Sequence, residues 1–303
     1  MNVIILRGIS KIKKFKIPVV ALGVFDGVHL GHRKILKDAV TKAKSIKGTS
    51  VVLTFWPHPH RDESLYSLEH RLSLIQELGI NVSVVVNFNK HFTRISAADF
   101  IENILAEKIG ARYVYVGENF RFGRNAEGNV LTLQDAAEIY GFRLKIFSVV
   151  SIKNKPISST LIRSLIKKGD LKAAQKLLGR PVSILGTVIR GVSFGKKLGF
   201  PTANIDPHHE VIPARGIYAV KVYLCGERFI GACYIGSKPT FLKRRSSSIE
   251  VHILNFRKKI YGKDLEIQFS KKIRDDKKFK TSEDLSRQIQ KDVLATKAHF
   301  SLH

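Results

Sequence analysis

The chain has 303 residues, 44% of them apolar, and its 52 Lys+Arg against 25 Asp+Glu give a formal charge of +27 at pH 7. That length suits about two domains of roughly 150 residues, each with its own core, and the apolar share excludes wholesale disorder. No apolar run nears the roughly 18 residues a membrane span needs, and Met1-Asn2-Val3-Ile4-Ile5-Leu6-Arg7 lacks the pattern of a secretory signal, so no membrane partner is expected.

In chain order, a strand is predicted over 19–24, ending in the turn Phe25-Asp26-Gly27, with a helix over 34–47 and a strand over 51–55. A helix over 68–78 closes at Gly79, and a strand follows over 82–86. A helix over 97–109 precedes Gly110, a strand covers 113–116, a helix over 131–140 precedes Gly141, and a strand covers 144–149. Short apolar strands alternating with helices imply a mostly parallel, Rossmann-like sheet covered on both faces, with ligands beyond the carboxyl ends of the strands. Helices over 158–168 and 171–178 complete this part, and Gly179-Arg180-Pro181 marks a boundary between residues 1–180 and 181–303.

Beyond it the strands, over 183–190, 216–224, 228–235, 249–254 and 265–269, have no helices between them, which predicts a small antiparallel barrel. An amphipathic helix over 281–299 ends the chain, with Thr281 and Asp284 at capping-box spacing and Leu285, Ile289 and Val293 on one face. Cys225 and Cys233 flank a hairpin turning at Gly226-Glu227. That turn would pair Cys225 with Arg228 and Cys233 with Val220, too far apart for a disulfide. With no zinc spacing either, a reducing, cytoplasmic setting is expected.

The first thought for +27 is a nucleic-acid binder, which predicts a basic patch or tail. The charge is instead spread: residues 1–180 hold 29 basic and 14 acidic side chains, and 181–303 hold 23 and 11. Runs within 11–16, 243–245, 257–259 and 271–280 read as solvated faces, and no nucleic-acid motif accompanies them. No specific nucleic-acid partner is expected, whereas anionic small-molecule substrates suit the excess.

Chemistry concentrates at Gly23-Val24-Phe25-Asp26-Gly27-Val28-His29-Leu30-Gly31-His32, between the first strand and first helix. His29 and His32 share one face at a helix start, where backbone amides and the dipole favour an anion, and Gly27 and Gly31 allow close approach. Such a site suits a nucleoside triphosphate reacting at its α-phosphate. In Ile157-Ser158-Ser159-Thr160-Leu161-Ile162-Arg163, Ser158 can cap a helix, Ser159 and Thr160 offer hydroxyls and amides, and Arg163 offers a bidentate phosphate contact. His58 and His60 lack a third metal ligand and read as phosphate contact or structure. In the second half, a Gly-rich loop with Gly191, Gly195 and Gly199 precedes Pro201-Thr202-Ala203-Asn204. Its amides can hold phosphate and its two oxygen side chains a hard cation, yet it lacks the Walker spacing.

The first motif set, with Phe55-Trp56-Pro57-His58-Pro59 and Gly117-Glu118-Asn119-Phe120-Arg121-Phe122-Gly123, resembles the HxGH nucleotidyltransferases. More narrowly, it resembles the adenylyltransferase half of bacterial bifunctional riboflavin kinase/FMN adenylyltransferases. The Gly-rich loop, Pro213-Ala214-Arg215-Gly216, Ile235-Gly236-Ser237-Lys238-Pro239-Thr240 and Glu250-Val251-His252 resemble the kinase half. The resemblance covers nearly the whole chain. It implies that riboflavin is phosphorylated with ATP and Mg2+ to FMN, and that AMP then passes from ATP to FMN, giving FAD and pyrophosphate.

By the same resemblance, His29 and His32 serve the triphosphate as catalytic residues, with Phe25, Asp26, Gly27, Gly31, Ser159, Thr160 and Arg163 around the nucleotide and Asn119 on the flavin or its phosphate. In the kinase half, Gly191, Gly195, Gly199 and Pro201 surround the nucleotide, Thr202 and Asn204 hold Mg–ATP, and Glu250 is the general base. Cys233-Tyr234 stands where the family often has Ala-Asn. The competing readings are one active half with the other as scaffold, and a nucleic-acid binder supported by charge alone.

Overall fold

The computed structural model describes residues 4–59, 63–191, 199–208, 210–237 and 247–301. Gly195, His60 and the basic run at 243–245 lie outside the described residues.

The first part runs β1 (Ile4–Arg7), β2 (Pro18–Leu22), α1 (Leu30–Ser45), β3 (Thr49–Trp56), α2 (Leu68–Glu77) and β4 (Val82–Asn87). Next come α3 (Ala97–Asp99, winding on as a π-helix over Phe100–Ile109), β5 (Tyr113–Gly117), α4 (Val130–Tyr140) and β6 (Arg143–Phe147). The six strands form one parallel sheet in the order β1-β4-β3-β2-β5-β6. The chain progresses outward from β2 through β3 and β4, then resumes on the other side at β5. The carboxyl ends of β2 and β5 therefore flank the topological switch point, where loops diverge and leave a crevice. All five residues of β2 are buried, as expected of a central strand covered on both faces.

Several predicted bounds differ: β2 ends at Leu22 rather than 24, and the last strand of the second part runs on to Arg274 rather than 269. α1 begins at Leu30 rather than 34, because the cap falls on His29 itself. The helix over 97–109 is α-helical only in its first turn. The edge strand β1 was not predicted: it is four residues long, with Ile4 and Ile5 exposed.

A short ribbon, β7 (Ser151–Ile152) with β8 (Lys155–Pro156), precedes α5 (Ser159–Lys168) and α6 (Leu171–Leu178). Then follow β9 (Ser183–Ile189), β10 (Ala203–Asp206), β11 (Gly216–Leu224), β12 (Glu227–Ser237), β13 (Ser247–Ile253), β14 (Asp264–Arg274) and α7 (Ser282–His299). β9 to β14 close an antiparallel barrel in the order β10-β13-β12-β11-β14-β9. Alternation fills it: Leu265, Ile267 and Phe269 of β14 are buried at every second position. By contacts the chain forms two compact units, Met1–Ser64 with Leu68–Ser159, and Leu65–Ser67 with Thr160–His303. All of α5 after Ser159, and α6, thus group with the barrel.

The hairpin between β11 and β12 turns one residue earlier than the sequence predicts. Leu224 pairs with Glu227, so Cys225 and Gly226 are the turn, and Cys233 pairs with Tyr218 rather than Val220. Both turn residues have positive φ, 49° and 83°, the twist-matching geometry of a two-residue hairpin, with glycine at its second position. Cys225 and Cys233 are both free.

α7 packs on β11, β12 and β14. Thr281 caps it by accepting the Asp284 amide at 3.1 Å. Arg274 of β14 grips it with two bonds to Asp292, 2.8 Å from Nε and 2.7 Å from Nη2, and Gln288 adds a third at 3.0 Å. Asp292 is buried, so removing its carboxylate strands a largely desolvated guanidinium. Asp292→Ala should lower the stability of the barrel unit by about 2–3 kcal/mol, read as a shift of the urea midpoint by circular dichroism. An unchanged midpoint would show that the helix docks by its apolar face alone.

Candidate active sites

The β2–α1 turn is held in an unusual conformation. Phe25 and Val28, both buried, have φ of 54° and 40°, a region that L-residues adopt only when their surroundings enforce it. The Val24 carbonyl accepts the Thr54 hydroxyl at 2.9 Å, one of the contacts that fix it.

The turn delivers His29 to the N-cap of α1. Its Nδ1 accepts the His32 backbone N–H at 3.4 Å, so in the neutral ring the proton sits on Nε2. The His29 and His32 rings stack with centroids 3.6 Å apart, and Phe25 meets His32 edge-on at 5.4 Å. Gly31 is required by space: a Cβ there would lie 3.2 Å from Cε1 of His29.

A cavity of about 350 Å³ opens here, bounded by the turn, by Gly117 and Asn119 after β5, and by Ser158 and Ser159. It gathers Phe25, Asp26, His29, Gly31, His32, Asn119 and Ser159. Gly27, with φ 84°, shapes the turn without lining the cavity. Ser159 donates its hydroxyl to the Asp26 carbonyl at 2.8 Å. His58 Nε2 lies 4.0 Å from the buried Asp26 carboxylate. Thr160 and Arg163 group with the second unit, and Arg163 is buried.

A second cavity of about 640 Å³ adjoins the first through shared Val24, Asn119 and Phe120. Phe55, Phe88, Phe92, Phe100, Phe120 and Phe122 line it. Their rings form a chain of edge and tilted contacts, ending in Phe120 stacked on Phe122 at 5.6 Å. Sequence reasoning missed this aromatic wall except at Phe55, Phe120 and Phe122, which lay inside motifs. The one signal was the count of 18 phenylalanines against a single tryptophan.

In the barrel, Glu250 of β13 pairs in register with Asn204 of β10 on one side and Tyr234 of β12 on the other. Thr202 donates to Glu250 Oε2 at 3.1 Å and Ser248 to Oε1 at 3.2 Å. His252, two residues on and so on the same face, donates from Nδ1 to the Pro201 carbonyl at 2.8 Å. Glu250, Thr202, His252 and Tyr234 line a cavity of about 320 Å³ whose other wall includes Leu285, Ile289 and Val293 of α7. The apolar face predicted for that helix therefore lines a cavity.

Asn204 is buried and packs over Gly191, where a Cβ would come within 2.2 Å of its amide nitrogen. Gly199 has φ 86°. His252 was not among the site residues expected from the sequence, although its spacing from Glu250 marked it. Among the described residues no group of three or more His, Cys, Asp or Glu could hold a metal. The hydroxyl of Thr202 and the carboxamide of Asn204, beside Glu250, are instead the oxygen donors a hard cation prefers.

The family model for FAD synthetase matches residues 11–161 and that for riboflavin kinase residues 178–300. A bifunctional riboflavin kinase/FMN adenylyltransferase of Buchnera aphidicola subsp. Schizaphis graminum is 36% identical, covering 98% of this chain and 99% of its own. The chain belongs to the bifunctional riboflavin kinase/FMN adenylyltransferase family. Members so named from Haemophilus influenzae and Bacillus subtilis are also 36% identical, over 92% and 93% of this chain and 93% and 92% of theirs.

A solved structure of a Streptococcus pneumoniae protein described as a macrolide-efflux protein superposes with a TM-score of 0.83 at 27% identity, covering 98% of this chain and 99% of that one. Among the described residues here, no helix is long and apolar enough to cross a membrane. As a family member, this enzyme uses ATP twice, to phosphorylate riboflavin to FMN and to adenylylate FMN to FAD.

Cys233 is fully buried, and its thiol pKa is pushed up, first by burial and then by the Glu250 charge. It is inert, whereas Cys225 is exposed on its turn. Titration with a disulfide reagent at pH 8 should count one fast thiol in the native enzyme and two after denaturation. Two fast thiols in the native state would contradict the buried, protonated Cys233.

Proposed function

We propose that adenylyl transfer occurs in the first unit's paired cavities and riboflavin phosphorylation in the barrel cavity, with His29, His32 and Glu250 as the reacting centres' catalytic residues. The observation that carries the first assignment is the junction at Asn119 and Phe120, where a histidine-lined cavity at a helix N-terminus meets a phenylalanine-lined one. The aromatic wall suits a flat isoalloxazine, and the amide end of α1 suits phosphates. FMN would then lie with its phosphate toward Asn119 and the nucleotide.

An FMN phosphate oxygen forms a bond to Pα of ATP as the Pα–O–Pβ bond breaks and pyrophosphate leaves. No covalent enzyme intermediate is needed. His29, with its Nε2 proton, and His32 donate to the oxygens on which charge grows, and catalysis is positioning plus charge stabilisation. Phe25, Asp26, Gly27 and Gly31 shape the turn for the triphosphate. Ser159 completes the nucleotide contacts of this unit.

In the barrel, Glu250 takes the proton of the ribityl 5′-hydroxyl as its oxygen bonds to Pγ and ADP leaves. Thr202 and Asn204 would hold Mg2+, which neutralises phosphate charge when bound with ATP, and Gly191, Gly195, Gly199 and Pro201 would border the nucleotide. Two free thiols support a reducing, cytoplasmic setting. The distributed +27 charge supports phosphate-bearing substrates at both units and no specific nucleic acid.

His29→Ala should lower FAD formation from FMN by about 10²–10³-fold and leave FMN formation from riboflavin within about twofold, both followed by chromatography of flavins. Glu250→Gln should do the reverse. A folded variant of either kind that loses both steps, or neither, would sink the assignment of separate sites. Gly31→Ala, by pressing on the His29 ring, should cost FAD formation about tenfold at unchanged FMN formation.

A further inference from the structure

α2 contributes no residue to either first-unit cavity, yet it carries the largest fully buried side chain among the described residues, Arg71, at 0% exposure. Its guanidinium bridges the turn after β2 and the end of β3. Nη1 donates to the Val24 carbonyl at 2.5 Å, and Nη2 donates to the Phe55 carbonyl at 3.2 Å. Val24 opens the turn that leads to His29, and Phe55 opens the run Phe55-Trp56-Pro57-His58. The guanidinium also sits over the Trp56 ring, 5.5 Å from its centroid.

Burial pushes the pKa of Arg71 down to about 10, against the opposing pull of the Asp26 and Glu69 carboxylates, so it is a cation at neutral pH. Asp26 in turn faces His58 at 4.0 Å. A methionine or leucine would fill this volume with no desolvation penalty. What an apolar side chain would not supply is a planar fork able to hold two carbonyls on separate segments at once.

We propose that Arg71 is a positioning residue for adenylyl transfer, clamping the 24–29 turn to the 55–58 loop so that His29 and the Asp26–His58 pair face one triphosphate. The clamp rests on the reading of that cavity as the adenylyl-transfer site. Thr54, which donates to the same Val24 carbonyl at 2.9 Å, is the second jaw. Neither side chain touches substrate. Both act through the backbone that carries the histidines, where a displacement of about 1 Å is enough to cost on the order of 100-fold in rate.

The test uses the full-length enzyme, whose kinase activity serves as an internal control. Arg71→Met should lower kcat for FAD formation about 10–100-fold while FMN formation stays within about twofold. Arg71→Lys, able to reach one carbonyl at a time, should recover part of the loss. Thr54→Val should lower the same kcat about two- to tenfold. In all three kcat should move more than the KM for FMN, because Arg71 and Thr54 hold backbone carbonyls and line neither cavity themselves.

Wild-type kcat in Arg71→Met, with His29→Ala inactive in the same assay, would overturn the clamp. So would a loss in Arg71→Met that Arg71→Lys does not relieve. If His29→Ala retained FAD formation, the reading of the cavity itself would fail, a result distinct from failure of the clamp. Should Arg71→Met not fold, unchanged kcat in both Arg71→Lys and Thr54→Val would overturn the proposal.

Discussion

Under the proposed assignment two anions meet in the first unit, the triphosphate of ATP and the phosphate of FMN, and that unit's architecture offsets their repulsion without filling the space between them. The sheet order provides the location, because strand progression reverses between β2 and β5 and leaves a crevice at their carboxyl ends. The start of α1 provides oriented amides there. His29 serves as N-cap, and that role directs the single proton of its neutral ring to the nitrogen not used in capping. A serine or aspartate at the cap would satisfy the same amide and offer no such donor. The strained turn before it, with Phe25 and Val28 at positive φ, is what places the cap where donation is useful.

Under the same assignment, the molecule's two ways of handling phosphate follow from its two folds. The parallel unit uses a helix terminus and side chains attached to it. Among the described residues the barrel has no helix between its strands, and its polar groups come from strand faces and the segment before β10. Period-two alternation sets Glu250 and His252 side by side on β13, and α7 covers the cavity wall with Leu285, Ile289 and Val293. The Arg274–Asp292 pair holds that helix in place. The barrel cavity is thus walled by a helix held through a buried aspartate that itself lines the cavity.

Much of this was legible in the sequence, for physical reasons that can be named. The histidines of the β2–α1 turn, the apolar face of α7 and the change from alternating helices to bare strands are all local patterns, and local patterns survive without knowledge of the fold. What could not be read depended on distant partners. Strands β1 and β10 span four residues each and gain their identity from the neighbours they pair with. The turn at Cys225-Gly226 was misplaced by one because Gly226-Glu227 also reads as a hairpin turn. The difference lay in which positions take positive φ, set by the register of the whole ladder. The aromatic cavity assembles phenylalanines from five separate segments. Arg71 was overlooked because a charged residue in an amphipathic helix normally faces water, and only the tertiary structure shows the two carbonyls it holds.

Glu250 and Thr202 illustrate how a single hydrogen bond can serve two chemical needs. A carboxylate acting as base must be oriented without being neutralised, and here two neutral hydroxyls, Thr202 and Ser248, each take one of its oxygens. A cationic partner in their place would hold the carboxylate just as firmly and would weaken it as a base. The Thr202 hydroxyl donates its one proton to Glu250, which leaves its oxygen lone pairs for a cation. Under the proposed assignment, the geometry that prepares the base therefore also prepares the metal ligand, and losing the Thr202 hydroxyl would disturb both. Ser248, with no such second duty, is the residue whose removal would isolate the contribution of orientation alone.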